Sequence, residues 1–449
     1  MTLTQTALNP RENPVVPGSF YVWTIGCQMN QADSQRLESA LSQLGIRPVD
    51  RPQDADVLVF NSCVVRQQAE DKVVGNLTAT APLKMQRPGQ VVALMGCMVG
   101  PNTQDLRRRF PHVDVFMRPQ EYAPLLDLLG KRLELDWEGC VGELTPNQPG
   151  VTCHVPIIHG CDLMCTFCII PYRRGRQVSR PLEEVVREVD LLVARGVKEV
   201  TLLGQTVDAY GLDLPGAPDL ADLLAALENV SGLERIRFLT SHPSFMSQRL
   251  IQAVADLPKV CEHINLPVQA GNDEILRRMR RPYTQVEYRQ MVDQVRETIP
   301  GVSMSTDIIV GFPGETPEEY QESLHLVSDL RFDKVHCAAY SSRPGTVSHR
   351  SMDDDVPQEE KASRRERIDS LQESILREIN AGLVGNRVEV LVEGRQKGKW
   401  QGRTRSNKLV FFEDDADQLG SLVDVTITQA SPWSLQGVPA AGQPRLSSG

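Results

Sequence analysis

Three cysteines on one short segment are the residues of this chain that are best placed to do chemistry. The spacing C-x3-C-x2-C puts Cys161, Cys165 and Cys168, here called the loop triad, close enough to hold three corners of an iron–sulfur cube. A four-iron cluster normally takes four thiolates, so three leave one iron open to bind another molecule. The alternative is zinc or idle thiols, although structural zinc is normally closed by four ligands. No fourth Cys or His follows Cys168 at matching spacing.

A second set of three cysteines is spread along the first part of the chain. Cys27, Cys63 and Cys97, here called the strand-end triad, each follow a short apolar run and lie 36 and 34 residues apart. Parallel strands carry their carboxyl ends to one edge of a sheet, where ligands usually bind. We therefore predict that the three converge, the alternative being small buried hydrophobic residues. Cys140 and Cys153 have no partner at ligand spacing and are interpreted as structural or incidental.

Composition limits the class of protein. The 449 residues suggest about three domains, and an apolar content of 41 % is enough for hydrophobic cores. No apolar run is long enough to span a membrane, and the first residues lack the layout of a signal peptide. Ten cysteines without an export signal favour reduced thiols and metal ligands, so we expect a cytoplasmic protein. The net charge of −10 gives no indication of a nucleic-acid partner.

Alternating strands and helices are the elements that must position both triads. Residues 20–130 imply a parallel-sheet α/β domain with right-handed crossovers. Residues 151–378 contain six strand–helix units and a connecting helix, which predicts a partial (βα)6 barrel with its site at the carboxyl ends of the strands. The loop triad follows the first of these strands. We predict a disordered tail at 1–19, a linker at 131–150 and a second tail at 442–449.

The segment 379–441 has short alternating strands and predicts a small all-β barrel. We predict three strands in it, at residues 387–392, 409–412 and 422–427. Between Arg387 and Lys408, seven Lys or Arg and two acidic residues give a local net charge of +5, with Trp400 among them. This pattern suits contacts with phosphates and bases, whereas the alternative is a merely solvated face.

The motifs together resemble the methylthiotransferase family of radical S-adenosylmethionine (SAM) enzymes. The segments that carry the resemblance are residues 21–30, 61–66, 160–174, 203–205, 240–243, 266–269 and 402–408, the last of which is similar to the RNA-binding TRAM barrel. Gln28-Met29-Asn30 and the segment 342–346 favour the MiaB type of that family. Ser62, where Thr is common, and the basic segment 280–283 depart from the expected form and put only substrate detail in doubt.

The resemblance implies an enzyme with two [4Fe–4S] clusters and SAM. The loop triad would hold the cluster whose open iron binds SAM, and the strand-end triad the second cluster, at which sulfur is delivered. Phe167 is expected near the adenine of SAM, although simple loop packing is the alternative. Gly204, Gln205, Gln269 and Gly311 follow barrel strands and are expected to line the same site, since glycine lets the backbone approach a ligand closely.

The implied reaction is methylthiolation of C2 of N6-isopentenyladenosine next to the anticodon (position 37) of tRNA. Arg403, Arg405 and Lys408 are expected to contact tRNA phosphates. The expected partners are tRNA carrying isopentenylated adenosine, an electron donor of the flavodoxin or ferredoxin kind, and a sulfur donor, and we expect a monomer. Alternatives are a threonylcarbamoylated tRNA adenosine or a ribosomal-protein aspartate as substrate, and a zinc-containing RNA-binding protein without catalysis.

Overall fold

The computed structural model describes residues 17–64 and 67–440, apart from the side chain of Gln67. The chain forms two compact units that divide between Asn147 and Gln148, within the predicted linker. Ser19, which the prediction placed in the first tail, already begins a strand. The rest of that tail up to residue 16, and the predicted tail 442–449, lie outside the described residues.

The first unit is built on a five-stranded parallel sheet in the order β2-β1-β3-β4-β5. Its elements are β1 Ser19–Thr24, α1 Gln28–Gln43, β2 Arg47–Pro48, β3 Val57–Ser62, α2 Gln67–Gln86, β4 Val91–Gly96, α3 Gln104–Arg109, β5 Val115–Met117, α4 Ala123–Leu133 and α5 Trp137–Cys140. Every residue of β3 and β4 is buried, as expected for central parallel strands that are covered on both faces. The predicted parallel α/β sheet is confirmed.

The second unit begins with strand–helix repeats. They comprise β6 Thr152–Pro156, β7 Ile158–His159, α6 Ile170–Arg174, β8 Val178–Ser179, α7 Leu182–Val193, β9 Glu199–Leu203, α8 Leu220–Glu228, β10 Arg235–Phe238, α9 Gln248–Asp256, β11 His263–Asn265, α10 Asp273–Met279, α11 Gln285–Thr298, β12 Ser303–Val310, α12 Pro317–Leu330, β13 Lys334–Ala339, α13 Val347–Ser351 and α14 Gln358–Ala381. Thr284 caps α11 in a reciprocal capping box with Glu287, so the turn that follows α10 ends at a fixed point.

Six of these strands form a partial barrel in the order β6-β9-β10-β11-β12-β13. Two three-stranded parallel sheets make up the halves, and a parallel bridge between Ile236 and Val260 joins β10 to the segment before β11. The apolar faces of the strands and helices form one continuous core, to which Ile368 and Ile375 of α14 also belong. The predicted partial (βα)6 barrel is confirmed, and its strands all end at the same side.

The C-terminal segment closes into a five-stranded barrel in the order β14-β15-β16-β18-β17. Its strands are β14 Arg387–Gln396, β15 Lys399–Thr404, β16 Leu409–Phe412, β17 Leu422–Ala430 and β18 Leu435–Pro439. The predicted all-β barrel is confirmed, but the set of three strands was incomplete because β15 and β18 were missed. β15 is the basic segment itself, and alternate residues of it (Trp400, Gly402, Thr404) are buried.

Among the described residues, no helix combines the length and the apolar character needed to cross a membrane.

Candidate functional site

The strand-end triad lies at the carboxyl edge of the first unit's sheet. Cys27, Cys63 and Cys97 directly follow or lie just beyond β1, β3 and β4, which are neighbours in the sheet. The loops touch, because a Cβ added to Gly26 would lie 2.9 Å from Cβ of Cys63, and the N–H of Cys97 donates to the Ser62 carbonyl at 2.9 Å. Cys63 and Cys97 are buried and Cys27 is exposed. The expected convergence of these loops therefore occurs, with one side open to solvent.

Two buried asparagines tie the loops of the strand-end triad together. Nδ2 of Asn30 donates to Oδ1 of Asn61 and to the Ser62 carbonyl, both at 2.9 Å. Nδ2 of Asn61 donates in return to the Asn30 carbonyl at 2.8 Å and to Oγ of Ser34 at 2.9 Å. Both asparagines are fully buried, so each amide depends on the other for part of its hydrogen bonding. Cys27 lies on this network, with its Sγ 3.3 Å from Oδ1 of Asn30.

The loop triad follows β7 at the carboxyl end of the barrel. Gly160 has φ of +65°, and a Cβ there would lie 2.0 Å from the Arg176 carbonyl oxygen, so only glycine fits before Cys161. The loop is anchored at its centre, where Thr166 donates through Oγ1 to the Arg278 carbonyl at 2.9 Å. The N–H of Cys168 donates to the Cys165 carbonyl at 3.1 Å and tightens the second half.

Burial disfavours the thiolate form of two thiols of the loop triad. It raises the pKa of Cys161, and it raises the pKa of Cys168 to about 12, with a further upward contribution from neighbouring Cys165 in each case. Thiolates in such a place need a strong positive charge, which iron supplies when it displaces the protons. The donor set of three neighbouring cysteines, one buried and two half-buried, thus fits an iron–sulfur cluster.

Within the described ranges, no group of three or more His, Cys, Asp or Glu side chains is arranged to hold a single metal ion. A tetrahedral zinc site would need four such ligands around one ion. A cube-type cluster instead takes one thiolate at each of several irons, so its ligands do not have to meet at one point. The arrangement therefore gives the zinc alternative no support.

The residues expected near SAM follow barrel strands, but they differ in what they contact. A Cβ on Gly204 would lie 2.3 Å from Cγ2 of Ile158, so glycine is required at the end of β9. Gln205, next in sequence, has a buried Oε1 without a hydrogen-bond partner among the described residues. Phe167 is half-buried and packs against the barrel core. Thr206 links this strand end to the loop triad, because its Oγ1 lies 3.5 Å from Sγ of Cys161.

The other two expected SAM residues have special backbone geometry. Gln269 adopts a left-handed conformation with φ of 76° and exchanges backbone hydrogen bonds with β12. Gly311 also has positive φ, and a Cβ there would lie 2.3 Å from Cγ of the buried Lys361. The space into which a Cβ of Gly311 would project is thus filled by a side chain of α14. Contact of either residue with SAM stays a prediction.

A further set of buried polar groups lies at the same end of the barrel, outside the residues that were expected near SAM. Oδ1 of Asp208, Oγ of Ser241 and Nε2 of His242 are buried, and the described residues offer them no hydrogen-bond partner. Burial raises the pKa of Asp208 to about 8 and lowers that of His242 to about 3, so both are neutral at pH 7. The Ser-His pair directly after β10 was a signal in the sequence. Asp208 carried none.

The residues expected to contact tRNA belong to a turn, residues 403–408, that docks on the amino end of the barrel strands. Arg405 donates to both carboxylate oxygens of Glu262, with its shortest distance of 2.7 Å, and to the Val260 carbonyl at 2.6 Å. Nζ of Lys408 lies 2.8 Å from Oδ1 of Asp333. Nη1 of Arg403 donates to Oδ1 of Asn407 at 3.3 Å, and its Nε lies 3.8 Å from Oε1 of Glu393.

Two buried arginines of β10 hold the backbone of the same turn. Arg235 donates to the Arg403 carbonyl at 2.7 Å, and Arg237 donates to the carbonyls of Thr404 and Arg405, each at 2.6 Å. The partners lie where barrel strands begin, whereas the loop triad follows the end of a strand. The turn 403–408 therefore faces the opposite end of the barrel from the loop triad. Phosphate contact by its three cations stays a prediction, and Arg405 and Lys408 would have to give up partners to make it.

Three family profiles match the chain. The Radical SAM superfamily matches residues 155–327, the TRAM domain matches residues 382–440, and a family described as "Uncharacterized protein family UPF0004" matches residues 19–118. These ranges coincide with the partial barrel, the closed C-terminal barrel and the sheet that carries the strand-end triad.

Curated relatives match over nearly the whole chain. A tRNA-2-methylthio-N(6)-dimethylallyladenosine synthase of Roseiflexus sp. (strain RS-1) is 52% identical over 94% of this chain and 89% of its own length. A protein of the same name from Herpetosiphon aurantiacus is 50% identical over 93% of this chain and 96% of its own. A solved structure of the radical SAM methyltransferase TsrM from Kitasatospora setae shares the fold, with a TM-score of 0.55, 16% identity and coverage of 74% of this chain and 77% of that one.

Proposed function

The chain belongs to the family of tRNA-2-methylthio-N(6)-dimethylallyladenosine synthases, and on that premise we propose that it methylthiolates C2 of N6-isopentenyladenosine at position 37 of tRNA, next to the anticodon. When bound at the loop-triad cluster, one SAM molecule would supply the radical; a second SAM molecule would supply the methyl group, and sulfur would be delivered at the second cluster. Such chemistry is required because an adenine C2–H bond has no useful acidity, so a general base cannot open it.

The observation that carries the proposal is the placement of the two cysteine triads. Each lies at the carboxyl end of parallel strands, which is where α/β sheets and βα barrels bind their ligands. Each is also built on a fixed backbone, through Gly160 for the loop triad and through the Asn30–Asn61 pair for the strand-end triad. Two separate triads match the need for a radical and for sulfur.

Two polar side chains at the loop-triad end of the barrel are placed to orient a ligand without adding charge. Asp208 and His242 are neutral at pH 7, and their unpartnered polar atoms are available to a ligand at the barrel end. Buried polar groups without partners are costly, so a ligand that satisfies them gains affinity and a fixed orientation. Gly204 lets the end of β9 pack closely against Ile158, because a Cβ on it would lie 2.3 Å from Cγ2 of Ile158.

Replacing each triad by alanine tests the division of labour. The loop-triad variant should keep about half of the iron, lose all SAM cleavage and yield no modified RNA. The strand-end-triad variant should still form 5′-deoxyadenosine from SAM and dithionite but yield no methylthiolated RNA. Cys140→Ala, which removes an exposed cysteine outside both triads, is the matched control. Loss of SAM cleavage in a folded strand-end-triad variant would contradict this assignment.

The substrate is tested by nucleoside analysis of tRNA from a deletion strain. We expect the 2-methylthio group to disappear, its isopentenylated precursor to accumulate, and the wild-type gene to restore the product where the triad variants do not. Unchanged methylthiolation of the isopentenylated base, with loss of the threonylcarbamoylated product instead, would favour the alternative substrate.

We further propose a cytoplasmic, monomeric enzyme that receives electrons from a donor of the flavodoxin or ferredoxin kind and sulfur from a separate sulfur donor. Both donors are required by the reaction, because reduction of the cluster consumes an electron and each product carries away one sulfur atom. Measurement of the molecular mass in solution, with and without tRNA, tests whether the enzyme is a monomer.

A further inference from the structure

A buried arginine beside the loop triad has no place in the function proposed so far. Arg281 follows α10 and is only 8 % exposed, whereas its neighbour Arg280 is exposed. Its guanidinium donates from three different nitrogens: Nε to Oη of Tyr283 at 2.7 Å, Nη2 to the Pro267 carbonyl at 3.0 Å, and Nη1 to Sγ of Cys165 at 3.5 Å. The first two bonds fix the plane of the guanidinium, and the third aims it at a sulfur of the loop triad.

The charge of Arg281 has no carboxylate to balance it. Among residues 17–64 and 67–440, its polar partners are a phenol, a carbonyl and a thiol, all formally neutral. Asp208 feels the charge, yet burial dominates there and raises the pKa of Asp208 to about 8, so that carboxyl is protonated at pH 7. The charge also reaches the His242 imidazole, whose pKa is lowered mainly by burial and secondly by Arg281. A buried cation without a counter-charge is strongly unfavourable, so an anion is missing from this place.

A cluster on the loop triad would be that anion. Three thiolates on a four-iron cube in the oxidised, doubly positive state give a net charge of −1, and one added electron makes it −2. A nearby buried cation stabilises the more negative state because the local dielectric is low. Hydrogen bonds to cluster sulfurs and net charge near a cluster are the terms that set its reduction potential.

We propose that Arg281 is a positioning residue of the loop-triad cluster. Its Nη1 donates to Sγ of Cys165, and its charge makes the cluster easier to reduce. The inference rests on the proposed function, because it assumes that the loop triad holds a four-iron cluster. The step it assists is the gain of one electron from a low-potential donor such as dithionite, with no bond formed or broken.

The test uses the full chain with the strand-end triad replaced by alanine, so that one cluster gives one signal. After anaerobic reconstitution, the potential is followed by electron paramagnetic resonance during a redox titration. Arg281→Gln should shift the equilibrium between oxidised and reduced cluster at least tenfold toward the oxidised state, which is about 59 mV for a one-electron couple. Arg281→Lys keeps a charge and a donor and should recover most of the shift.

Two controls separate charge from packing. Arg280→Gln removes the same charge one residue away at an exposed position, where solvent screens it, and should leave the potential unchanged. Tyr283→Phe removes the hydroxyl that helps to hold Arg281 but keeps the charge of Arg281. The equilibrium between oxidised and reduced cluster should therefore change less than threefold. A shift in Arg281→Gln no larger than that in Arg280→Gln would overturn the proposal.

A measurement on the unsubstituted Arg281 covers the case in which Arg281→Gln holds no cluster. Protein grown with nitrogen-15-labelled arginine should show a nitrogen hyperfine coupling on the reduced cluster, with the same coupling in Arg280→Gln. Lack of the coupling would then refute the bond to Cys165. If the strand-end-triad background itself holds no four-iron cluster, both the proposed function and this inference fail, whereas a cluster with an unshifted potential overturns the inference alone.

Discussion

Replacing Arg405 with alanine separates two roles for the turn 403–408. The sequence predicts that Arg405 contacts tRNA phosphates, whereas the structure engages it with Glu262 and with the carbonyls of Pro258 and Val260. If docking is its main role, the substitution should loosen the C-terminal barrel from the amino end of the (βα) barrel. Binding of tRNA by the molecules that remain docked should then keep its salt dependence.

The magnitude follows from the hydrogen bonds and the ion pair that the substitution removes. A hydrogen bond to a charged group contributes about 1.5–3 kcal/mol net, and removal of one partner of a fully buried ion pair costs about 3–5 kcal/mol. The Arg405 and Glu262 side chains are 27% and 31% exposed, so solvent screening brings the expected loss to the lower end. We therefore expect the substitution to cost about 2–3 kcal/mol of local stability.

The effect should also depend on pH. Burial raises the pKa of Glu262, but hydrogen bonds from Arg405 and the backbone, together with the charges of Arg405 and Arg237, outweigh burial, and the net pKa is lowered. A carboxyl with a lowered pKa in the folded state contributes stability above its unfolded pKa of about 4.3, and this contribution is lost as pH falls through the folded value. The difference between wild type and Arg405→Ala should therefore shrink below about pH 4.

Hydrogen exchange is the suitable assay, because a chain with two compact units does not unfold in a single step. Amides of β15 and β16 should exchange roughly 30- to 150-fold faster in Arg405→Ala, which is the rate factor for about 2–3 kcal/mol. Lys397→Gln, which removes a charge from the exposed β14–β15 turn, should leave these rates unchanged. A double-mutant cycle with Glu262→Gln should show strong coupling between the two side chains.

The opposite pattern would refute this reasoning. If Arg405 were bound to a tRNA phosphate and free of its protein partners, exchange in β15 and β16 would stay at the wild-type rate. The slope of log affinity for tRNA against log salt would then fall by about 0.7–0.9, because one phosphate would no longer be neutralised.

Three further substitutions test the two sites. Gly204→Ala places a Cβ 2.3 Å from Cγ2 of Ile158, so it should lower the free energy of unfolding by about 1–3 kcal/mol and abolish SAM cleavage. An unchanged melting temperature would contradict the packing argument. Asn61→Ala removes one of the two acceptors of Nδ2 of Asn30 and the side-chain donor to the Asn30 carbonyl. It should lower the iron held by the strand-end triad while the loop-triad cluster persists, as iron analysis can measure. Burial raises the pKa of Asp208 to about 8, so the folded state binds its proton more tightly and stability falls as pH rises from about 4 to about 8. In urea unfolding, Asp208→Asn should make the stability nearly independent of pH across this range. A profile of stability against pH that runs parallel to that of the wild type would contradict the buried, protonated carboxyl.

The sequence predicts the placement of both triads, because this placement depends only on local patterns of residues. Apolar runs that alternate with amphipathic helices specify parallel strands, and residues directly after parallel strands share an edge whatever the rest of the chain does. The contacts of side chains are different in kind. Arg281 and Cys165 are 116 residues apart, and Arg405 and Glu262 are 143 apart, so no spacing or periodicity relates them. Such pairs depend on the packing of whole elements.

β15 was missed for a physical reason that also explains the docking. Its buried positions are Trp400, Gly402 and Thr404, of which only one is a large apolar residue, so the alternation of apolar and polar residues is weak. Gly402 is required there because a Cβ would lie 2.0 Å from the Leu391 carbonyl oxygen on the paired strand β14. The basic residues between these positions read as a solvated loop in the sequence.

Pairing within the protein changes how the basic segment 387–408 can attract RNA. Its net charge of +5 counts only charges inside the segment, but most of its cations lie within 4.0 Å of a carboxylate. The pairs are Arg387–Asp424, Lys399–Glu413, Arg403–Glu393, Arg405–Glu262 and Lys408–Asp333. Arg395, which stacks over the Trp400 ring at 4.5 Å, and Lys397 make no such pair among the described residues. On a chain of net charge −10, the positive potential of this segment is therefore concentrated at the β14–β15 turn, at the other end of those strands from the docked turn 403–408.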